Sequence, residues 1–165
     1  KRTECSLKRS WFYPYRSARG VLESVPCLFV QPLTYMNRSG SILPRLMKRY
    51  SLEPSSLVVC CDNMDLPPGA VRVRRGGGTA GHRGLASLQQ HLGSSDFIRI
   101  YIGIGRPKHG EAVVDHVLGL PEQEDELLII QGIRRAEDAA AALVHQPLER
   151  VYHEFNRKDA HNTAF

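Results

Sequence analysis

Residues 62–84 bring three kinds of reactive or charged side chain into one short segment. Asp62 follows an apolar run at residues 57–61, three arginines come next, and His82 ends a glycine-rich loop. Arginine suits planar phosphate groups, and the carboxylate, the histidine and the cationic side chains are forced close together in sequence. The segment therefore predicts chemistry on a polyanionic substrate.

The arginines of this segment alternate with small or apolar residues. The alternation predicts a strand with one wet face, so that Arg72 and Arg74 share a face while Arg75 points the other way. Arg106 and Lys108 add positive charge from a second glycine-containing loop. A solvated charged face would have a similar composition. Glycine-rich loops let a polyanion come close, however, and this convergence favours phosphate binding.

Asp62 and His82 each have a functional and a structural interpretation. Asp62 is placed at the carboxyl end of a predicted strand, where ligands gather in α/β sheets, but it could equally be a turn aspartate that bonds its own backbone. His82 could be a ligand, an acid/base group or a helix-start residue that bonds the backbone. Two such residues without a third in register do not predict a metal site, so no metal is expected.

The glycine-rich loop, residues 76–81 (GGGTAG), matches the dinucleotide fingerprint G-x-G-x-x-G. It follows a predicted strand and precedes a predicted helix, as a nucleotide-binding oxidoreductase domain requires. No acidic residue ends the following strand, where a ribose contact is expected, and arginines crowd the entry to the loop. The oxidoreductase reading is therefore kept as an alternative.

The bulk properties fit one globular domain. The chain has 165 residues, 42% of them hydrophobic, with a net charge of +5 and a pI of about 9.2. The four cysteines lack the spacing of a zinc or redox motif, and buried, reduced thiols in a cytoplasmic protein are expected. No apolar run is long enough to span a membrane. The basic charge favours nucleic acid or another polyanion as partner.

Apolar periodicity predicts strands alternating with helices, which indicates one α/β domain over residues 1–165, with a mixed twisted sheet flanked by helices. Asn37 or Ser39 is expected to cap the first helix. The predicted strands are 21–30, 57–61, 70–75 and 97–104, the last with an aliphatic face. The predicted helices run to Tyr50 and over 81–91, 112–118, 122–145 and 148–155.

Five blocks of the sequence together resemble the bacterial-type peptidyl-tRNA hydrolase family, in order and spacing, from about Trp11 to the end of the chain. The blocks are residues 31–40 (QPLTYMNRSG), 62–69 (DNMDLPPG), 76–85 (GGGTAGHRGL), 102–107 (IGIGRP) and 113–119 (VVDHVLG). The resemblance implies the peptidyl-tRNA hydrolase fold. It also implies hydrolysis of the ester that joins a peptide to tRNA, with water and without a metal or other cofactor.

By this resemblance, Asn37 holds the peptide or the attacking water, and Asp62 orients and charge-stabilises a histidine general base. His82 lines the same cleft. Tyr35, Met36 and Arg83 are assigned to substrate binding. Arg74 matches a basic position of the family that grips tRNA phosphate. Arg72, Arg106 and Lys108 are also assigned to the tRNA, because their charges converge on the same end of the predicted sheet.

The chain departs from the family pattern at several places. The family's base histidine lies in an N-terminal Asn-Pro-Gly…His turn that these residues do not contain, so an absent N-terminal segment and an inactive chain are expected. Arg83 replaces a substrate-binding asparagine, and Tyr101 stands where a phosphate-binding arginine is common. A non-catalytic RNA-binding homologue is therefore an alternative. In either case the expected protein is a cytoplasmic monomer whose partner is tRNA.

Overall fold

The computed structural model describes residues 6–107 and 112–157, which divide into two compact units interleaved along the chain. The first unit comprises Lys1–Leu57 and Arg75–Ile98, and the second comprises Val58–Arg74 and Arg99–Phe165. Strands and helices occur in both, so the α/β prediction is confirmed. The prediction of one domain over residues 1–165 stays a prediction.

The first unit begins with an antiparallel sheet in the order β1-β2-β3. Its strands are β1 (Lys8–Arg9), β2 (Tyr15–Leu22) and β3 (Val25–Pro32). The prediction of one strand over residues 21–30 is wrong because Glu23 and Ser24 form a tight turn, with φ of 47° and 72°. Positive φ at both central residues is the geometry of a two-residue hairpin turn. Glu-Ser lacks the asparagine–glycine signature by which such turns are recognised.

A 3-10 helix (Met36–Ile42) leads directly into α1 (Leu43–Tyr50). Neither Asn37 nor Ser39 caps a helix as predicted, because both lie inside the 3-10 segment. A second, shorter 3-10 helix spans Pro54–Ser56. The unit is completed by α2 (Arg83–Leu92), which ends at Gly93 with φ of 62°, as the sequence predicts.

The 3-10 helix packs closely against α2. The backbone N–H of Gly40 donates to Oγ of Ser87 at 3.0 Å, and both residues are buried. The glycine allows this approach, because a Cβ on Gly40 would lie 2.9 Å from His91 Nδ1 and closer still to the Ser87 carbonyl. This contact fixes residues 35–37 relative to the start of α2.

The second unit contains a mixed sheet in the order β4-β6-β5, apart from the terminal residues Arg75 and Ile98. Its strands are β4 (Val58–Asn63), β5 (Val71–Arg75) and β6 (Ile98–Gly103). The Ile98 N–H donates to Leu57 and the Ile104 N–H to Asn63, so β4 and β6 are parallel. Gly103 exchanges hydrogen bonds with Gly69 and Ala70, so β5 runs antiparallel to β6.

The central strand β6 is buried on both faces. Arg99 is fully buried on one face, as is Phe97 immediately before the strand, and Ile100 is fully buried on the other face. The prediction of a single aliphatic face is therefore incomplete. The face that carries Arg99 and Tyr101 is covered as well. The continuous apolar run at residues 57–61 is typical of a buried parallel strand. β4 is parallel to β6, but it ends the sheet and Val58 remains 39% exposed, so the strand is only partly buried.

Three helices complete the second unit: α3 (Val113–Leu118), α4 (Gln123–His145) and α5 (Leu148–Phe155). The long helix α4 buries small residues, and a Cβ on Gly132 would lie 2.6 Å from the Gly69 carbonyl oxygen. Asn156, at the end of α5, brackets the backbone of Val73 by accepting from its N–H and donating to its carbonyl. In the described ranges, no helix combines the length and the apolar character that a membrane crossing needs.

Candidate functional site

In the first unit, two of the predicted site residues, Met36 and His82, lie against Gly84 at the start of α2. A Cβ on Gly84 would lie 2.7 Å from Met36 Sδ and 2.8 Å from His82 Cε1, so both side chains cover this glycine. Tyr35 is 82% exposed and Met36 45%, which leaves an accessible apolar surface there. Asn37 follows Met36 in the 3-10 helix and is also exposed. The structure thus gathers one group of the predicted site residues.

His82 is the N-cap of α2, and its Nδ1 accepts the Leu85 backbone N–H at 3.1 Å. An acceptor nitrogen carries no hydrogen, so the neutral ring has its proton on Nε2. The cap occupies the lone pair that a general base would use. His82 can therefore donate a hydrogen bond from Nε2. Its contact with the Leu85 backbone is the one expected of a residue that starts a helix.

The glycine-rich loop adopts left-handed backbone conformations at Gly76, Gly77 and Gly81. Gln89 on α2 donates from Nε2 to the Gly77 carbonyl at 2.7 Å and so ties the loop to the helix. The loop joins β5 to α2, but β5 and β6 are antiparallel, whereas a dinucleotide-binding βαβ unit needs parallel strands. The oxidoreductase alternative is therefore wrong.

In the second unit, Asp62 is the penultimate residue of β4, rather than the residue after the strand, and it is half-buried. Burial, together with the neighbouring Asp62 carboxylate, raises the pKa of the Cys61 thiol to about 12. Cys61 is therefore a neutral thiol at physiological pH and not a nucleophile. The prediction that the cysteines are buried fails at Cys60, which is exposed.

The turn after β4 is held by its own side chains. Asn63 Oδ1 accepts the Asp65 N–H at 2.7 Å, which is an Asx turn. The Asp65 carboxylate binds the Arg106 guanidinium at 2.6 Å, and these side chains are 59% and 78% exposed. Arg106, predicted to bind tRNA, is thus partly neutralised by an exposed ion pair, although such pairs are weak.

His116 on α3 holds the loop that follows β6. Its Nε2 lies 3.2 Å from the Ile104 carbonyl oxygen and 3.0 Å from that of Gly105, which has φ of 72°. Carbonyl oxygens only accept, so Nε2 carries a hydrogen. This positioning contact was missed from the sequence because the block 113–119 marks His116 as part of a family motif but does not show which carbonyl groups its ring will meet.

The arginines of β5 alternate with the buried residues Val71 and Val73, which confirms the strand with a wet face. Arg72 and Arg74 are exposed. Arg75 is exposed too, but it forms a two-point ion pair with Asp96, at 2.6 and 3.0 Å.

Two polar side chains of β6, Arg99 and Tyr101, are buried. Arg99 is fully buried and donates to the Tyr101 hydroxyl at 3.2 Å, so it is not part of a surface phosphate site. Tyr101 is itself only 9% exposed, which removes it as a stacking surface for a base. Lys108 lies outside the described residues.

Comparison with known proteins agrees with the family resemblance of the five sequence blocks. A family model described as peptidyl-tRNA hydrolase matches residues 1–163. The peptidyl-tRNA hydrolase of Bacillus licheniformis is 40% identical over 159 residues, which cover 92% of this chain and 85% of that protein. The Bacillus subtilis enzyme is 44% identical over 139 residues, covering 84% and 74% of the two chains. The chain belongs to the peptidyl-tRNA hydrolase family.

The fold agrees with this assignment. The crystal structure of peptidyl-tRNA hydrolase from Acinetobacter baumannii superposes with a TM-score of 0.86 at 32% identity, covering 93% of this chain and 78% of that one. The prediction of the peptidyl-tRNA hydrolase fold is thus confirmed. The family match begins at residue 1, so the expectation of an absent N-terminal segment receives no support from it.

The sites expected from the peptidyl-tRNA hydrolase family fall into two groups. In the first unit, Met36 and His82 converge on Gly84, with Tyr35, Asn37 and Arg83 as sequence neighbours. The second unit holds Asp62, Arg72, Arg74 and Arg106. Within the ranges 6–107 and 112–157, no three histidine, cysteine or acidic side chains are grouped so that they could hold a metal ion.

Proposed function

We propose that this protein hydrolyses the ester bond of peptidyl-tRNA and releases a peptide and free tRNA during translation. The observation that carries the proposal is the family match over residues 1–163, together with relatives named peptidyl-tRNA hydrolase at about 40% identity. The blocks at residues 62–69, 76–85 and 102–107 lie at the ends of β4, β5 and β6, and the second of them also contains the start of α2.

In this proposal, the first-unit group binds the peptidyl part of the substrate. Tyr35 and Met36 offer exposed apolar surface to peptide side chains, and the amide of Asn37 bonds the peptide backbone or the attacking water. His82 acts as a hydrogen-bond donor, because its Nδ1 is engaged by the Leu85 N–H. A donor can stabilise the negative charge that develops on the carbonyl oxygen during ester cleavage.

Asp62 has a different role in the proposal: it orients a general-base histidine and stabilises the imidazolium formed when that histidine takes a proton from water. Asp62 is suited to this because it is half-buried and is fixed on a β-strand rather than on a mobile turn. In the family, the base belongs to an Asn-Pro-Gly…His turn, which residues 1–165 do not contain.

We therefore predict that chain 1–165 by itself hydrolyses peptidyl-tRNA far more slowly than the same chain fused to the N-terminal turn of a curated relative. The reason is that His82, the histidine of the first-unit group, has its acceptor nitrogen engaged in the helix cap. The measurement is single-turnover cleavage of a radiolabelled peptidyl-tRNA by both forms. Equal rates would show that a residue within the chain serves as the base.

A fusion that binds tRNA tightly but releases no peptide would favour the non-catalytic RNA-binding homologue. Arg83, in place of the family's asparagine, is the residue to examine first in that case. Its restoration to asparagine in the fusion separates the two readings. Recovery of cleavage by Arg83→Asn would return the protein to the enzyme class, and continued inactivity would favour the binding module.

Arg72 and Arg74 are proposed to grip the phosphate backbone of tRNA. They extend from one face of β5, while Val71 and Val73 on the other face are buried, so both arginine side chains are held at the surface by the strand. Phosphate contacts position a nucleic acid without reading its sequence. A contact of this kind strengthens binding to all tRNAs by a similar factor.

Arg74→Ala is expected to weaken binding of unrelated tRNAs by similar factors and to reduce the slope of log affinity against log salt by about 1. Arg75→Ala is the matched control, since the charge of Arg75 is already compensated by Asp96. Affinities are measured by filter binding or fluorescence anisotropy over a salt series. If Arg74→Ala changes neither the affinity nor the slope, this face of β5 is only a solvated surface.

A further inference from the structure

The loop between β1 and β2 exposes an unusual concentration of aromatic surface. Trp11 is 96% exposed and Phe12 is 88% exposed, whereas side chains of this size normally dominate buried cores. Together with their neighbours they line an open groove of about 610 Å³. The lining residues are Arg9, Ser10, Trp11, Phe12, Tyr13 and Pro14. We call these residues the aromatic loop.

Contacts of Tyr13 with Tyr15 and Arg45 hold the aromatic loop in place. The Tyr13 ring stacks on the Tyr15 ring, with centroids 6.1 Å apart and an interplanar angle of 11°. The Arg45 guanidinium lies 4.0 Å from the centroid of the Tyr13 ring, within the range of a cation–π contact. Tyr15 is itself buried. Tyr13 is therefore an anchored ring, and the loop presents Trp11 and Phe12 on an organised base.

The charge around the aromatic loop has one sign. Residues 6–22 contain Lys8, Arg9, Arg16 and Arg19 and no Asp or Glu. The imbalance extends to the whole unit: the sequence of the first unit has twelve Lys and Arg against four Asp and Glu, while the second unit has ten against thirteen. All of the excess positive charge of the protein therefore belongs to the unit that carries the exposed aromatic rings.

Exposed aromatic rings among cations are the combination that binds unpaired nucleotides. Base stacking on aromatic side chains supplies the affinity, and lysines and arginines follow the phosphates. A neutral apolar partner would gain nothing from the surrounding charge, and a bare polyanion would gain nothing from the rings. We propose that the aromatic loop binds a single-stranded segment of RNA by stacking its unpaired bases on Trp11 and Phe12.

This surface is separate from the residues assigned above to ester hydrolysis, and its binding does not require that reaction. Trp11 is the only tryptophan of the chain, so its fluorescence reports on the aromatic loop alone. The probe is an oligouridylate of about six nucleotides, within the usual length of a single-stranded site. Titration of chain 1–165 is expected to quench the Trp11 emission in a saturable way, and duplex RNA of the same length is expected to quench it much less.

Trp11→Ala and Phe12→Ala are each expected to weaken binding of a dye-labelled oligouridylate by about 5- to 100-fold, measured by anisotropy. Leu120→Ala is the control, because Leu120 is a 98% exposed apolar residue of the second unit. Since Trp11 and Phe12 are almost fully exposed, the variants should keep the melting temperature of the parent. Circular dichroism checks this before the binding is compared.

Inorganic polyphosphate of equal charge separates stacking from simple electrostatics. If it displaces the oligonucleotide as well as RNA does, and Trp11→Ala binds like the parent, the proposal is overturned in favour of non-specific charge. If RNA leaves the Trp11 emission unchanged while Trp11→Ala abolishes self-association in sedimentation, the occupant is a second copy of this chain. Neither result bears on ester hydrolysis, because no peptidyl-tRNA is used.

Discussion

Asp62→Asn is expected to lower the turnover of peptidyl-tRNA by about 10³–10⁴-fold, the size of effect seen when a carboxylate that orients a catalytic histidine loses its charge. The amide keeps the size of the carboxylate and most of its hydrogen-bonding capacity, so β4 and the following turn should be retained. It cannot stabilise an imidazolium, and it offers the histidine an N–H where a lone pair is required. The measurement is kcat/KM in the form of the protein that cleaves peptidyl-tRNA, alongside a thermal melt.

Asp65→Asn is the matched control for this variant. Asp65 lies in the turn that follows β4, and its carboxylate forms an exposed ion pair with Arg106, which contributes little to stability. We expect Asp65→Asn to keep most of the turnover. If Asp62→Asn reduced the melting temperature as severely as the rate, Asp62 would be a turn-forming residue and its catalytic assignment would be wrong.

Gly40→Ala is expected to reduce the free energy of unfolding by about 3 kcal/mol, at the upper end of the range for overpacking a filled site. The added Cβ would press on the Ser87 carbonyl, which belongs to the backbone of α2 and cannot rotate away. For a chain of this size the loss corresponds to a fall in melting temperature of roughly 6–12 °C. Differential scanning calorimetry measures it directly.

Gly78→Ala is the comparison for the Gly40 variant, since no atom lies within 4 Å of where its Cβ would be. Gly78 is expected to accept the methyl group with little change in the melting temperature. Should Gly40→Ala melt like the parent, the 3-10 helix and α2 are not packed as tightly as the structure indicates. The positioning of Asn37 by this contact would then need another explanation.

Periodicity was sufficient to predict the elements whose pattern is local. The helices α4 and α5 and the stop of α2 at Gly93 agree closely with their predicted bounds, because repeated apolar spacing and a left-handed glycine are encoded within the element itself. The turn at Glu23 and Ser24 was not predictable in this way. Its backbone geometry is imposed by the pairing of β2 with β3, and neither residue type favours positive φ.

The candidate site was predicted in its residues more than in its contacts. Motif blocks indicated Asp62 and His82, and the alternation of arginines with small or apolar residues indicated Arg74, without knowledge of the fold. The partners Asp65 for Arg106 and Asp96 for Arg75 are separated from them by 41 and 21 residues, and a single sequence carries no signal for such pairs. The burial of Arg99 could not be predicted either, because the alternation of side chains along a strand does not indicate which face other parts of the protein will cover.

The three-stranded β1-β2-β3 sheet has a consequence for how the chain folds. Each of its strand pairs joins strands that are neighbours in sequence. The β2–β3 pairing begins next to the turn, where Leu22 pairs with Val25, and continues from there along both strands. The parallel β4–β6 pair instead joins residues 41 positions apart, such as Asn63 and Ile104. Local hairpins form in about 1–10 μs, and pairing across long separations is slower. We therefore expect the β1-β2-β3 sheet to form early and to remain in partially unfolded molecules in which β4 and β6 are not yet paired.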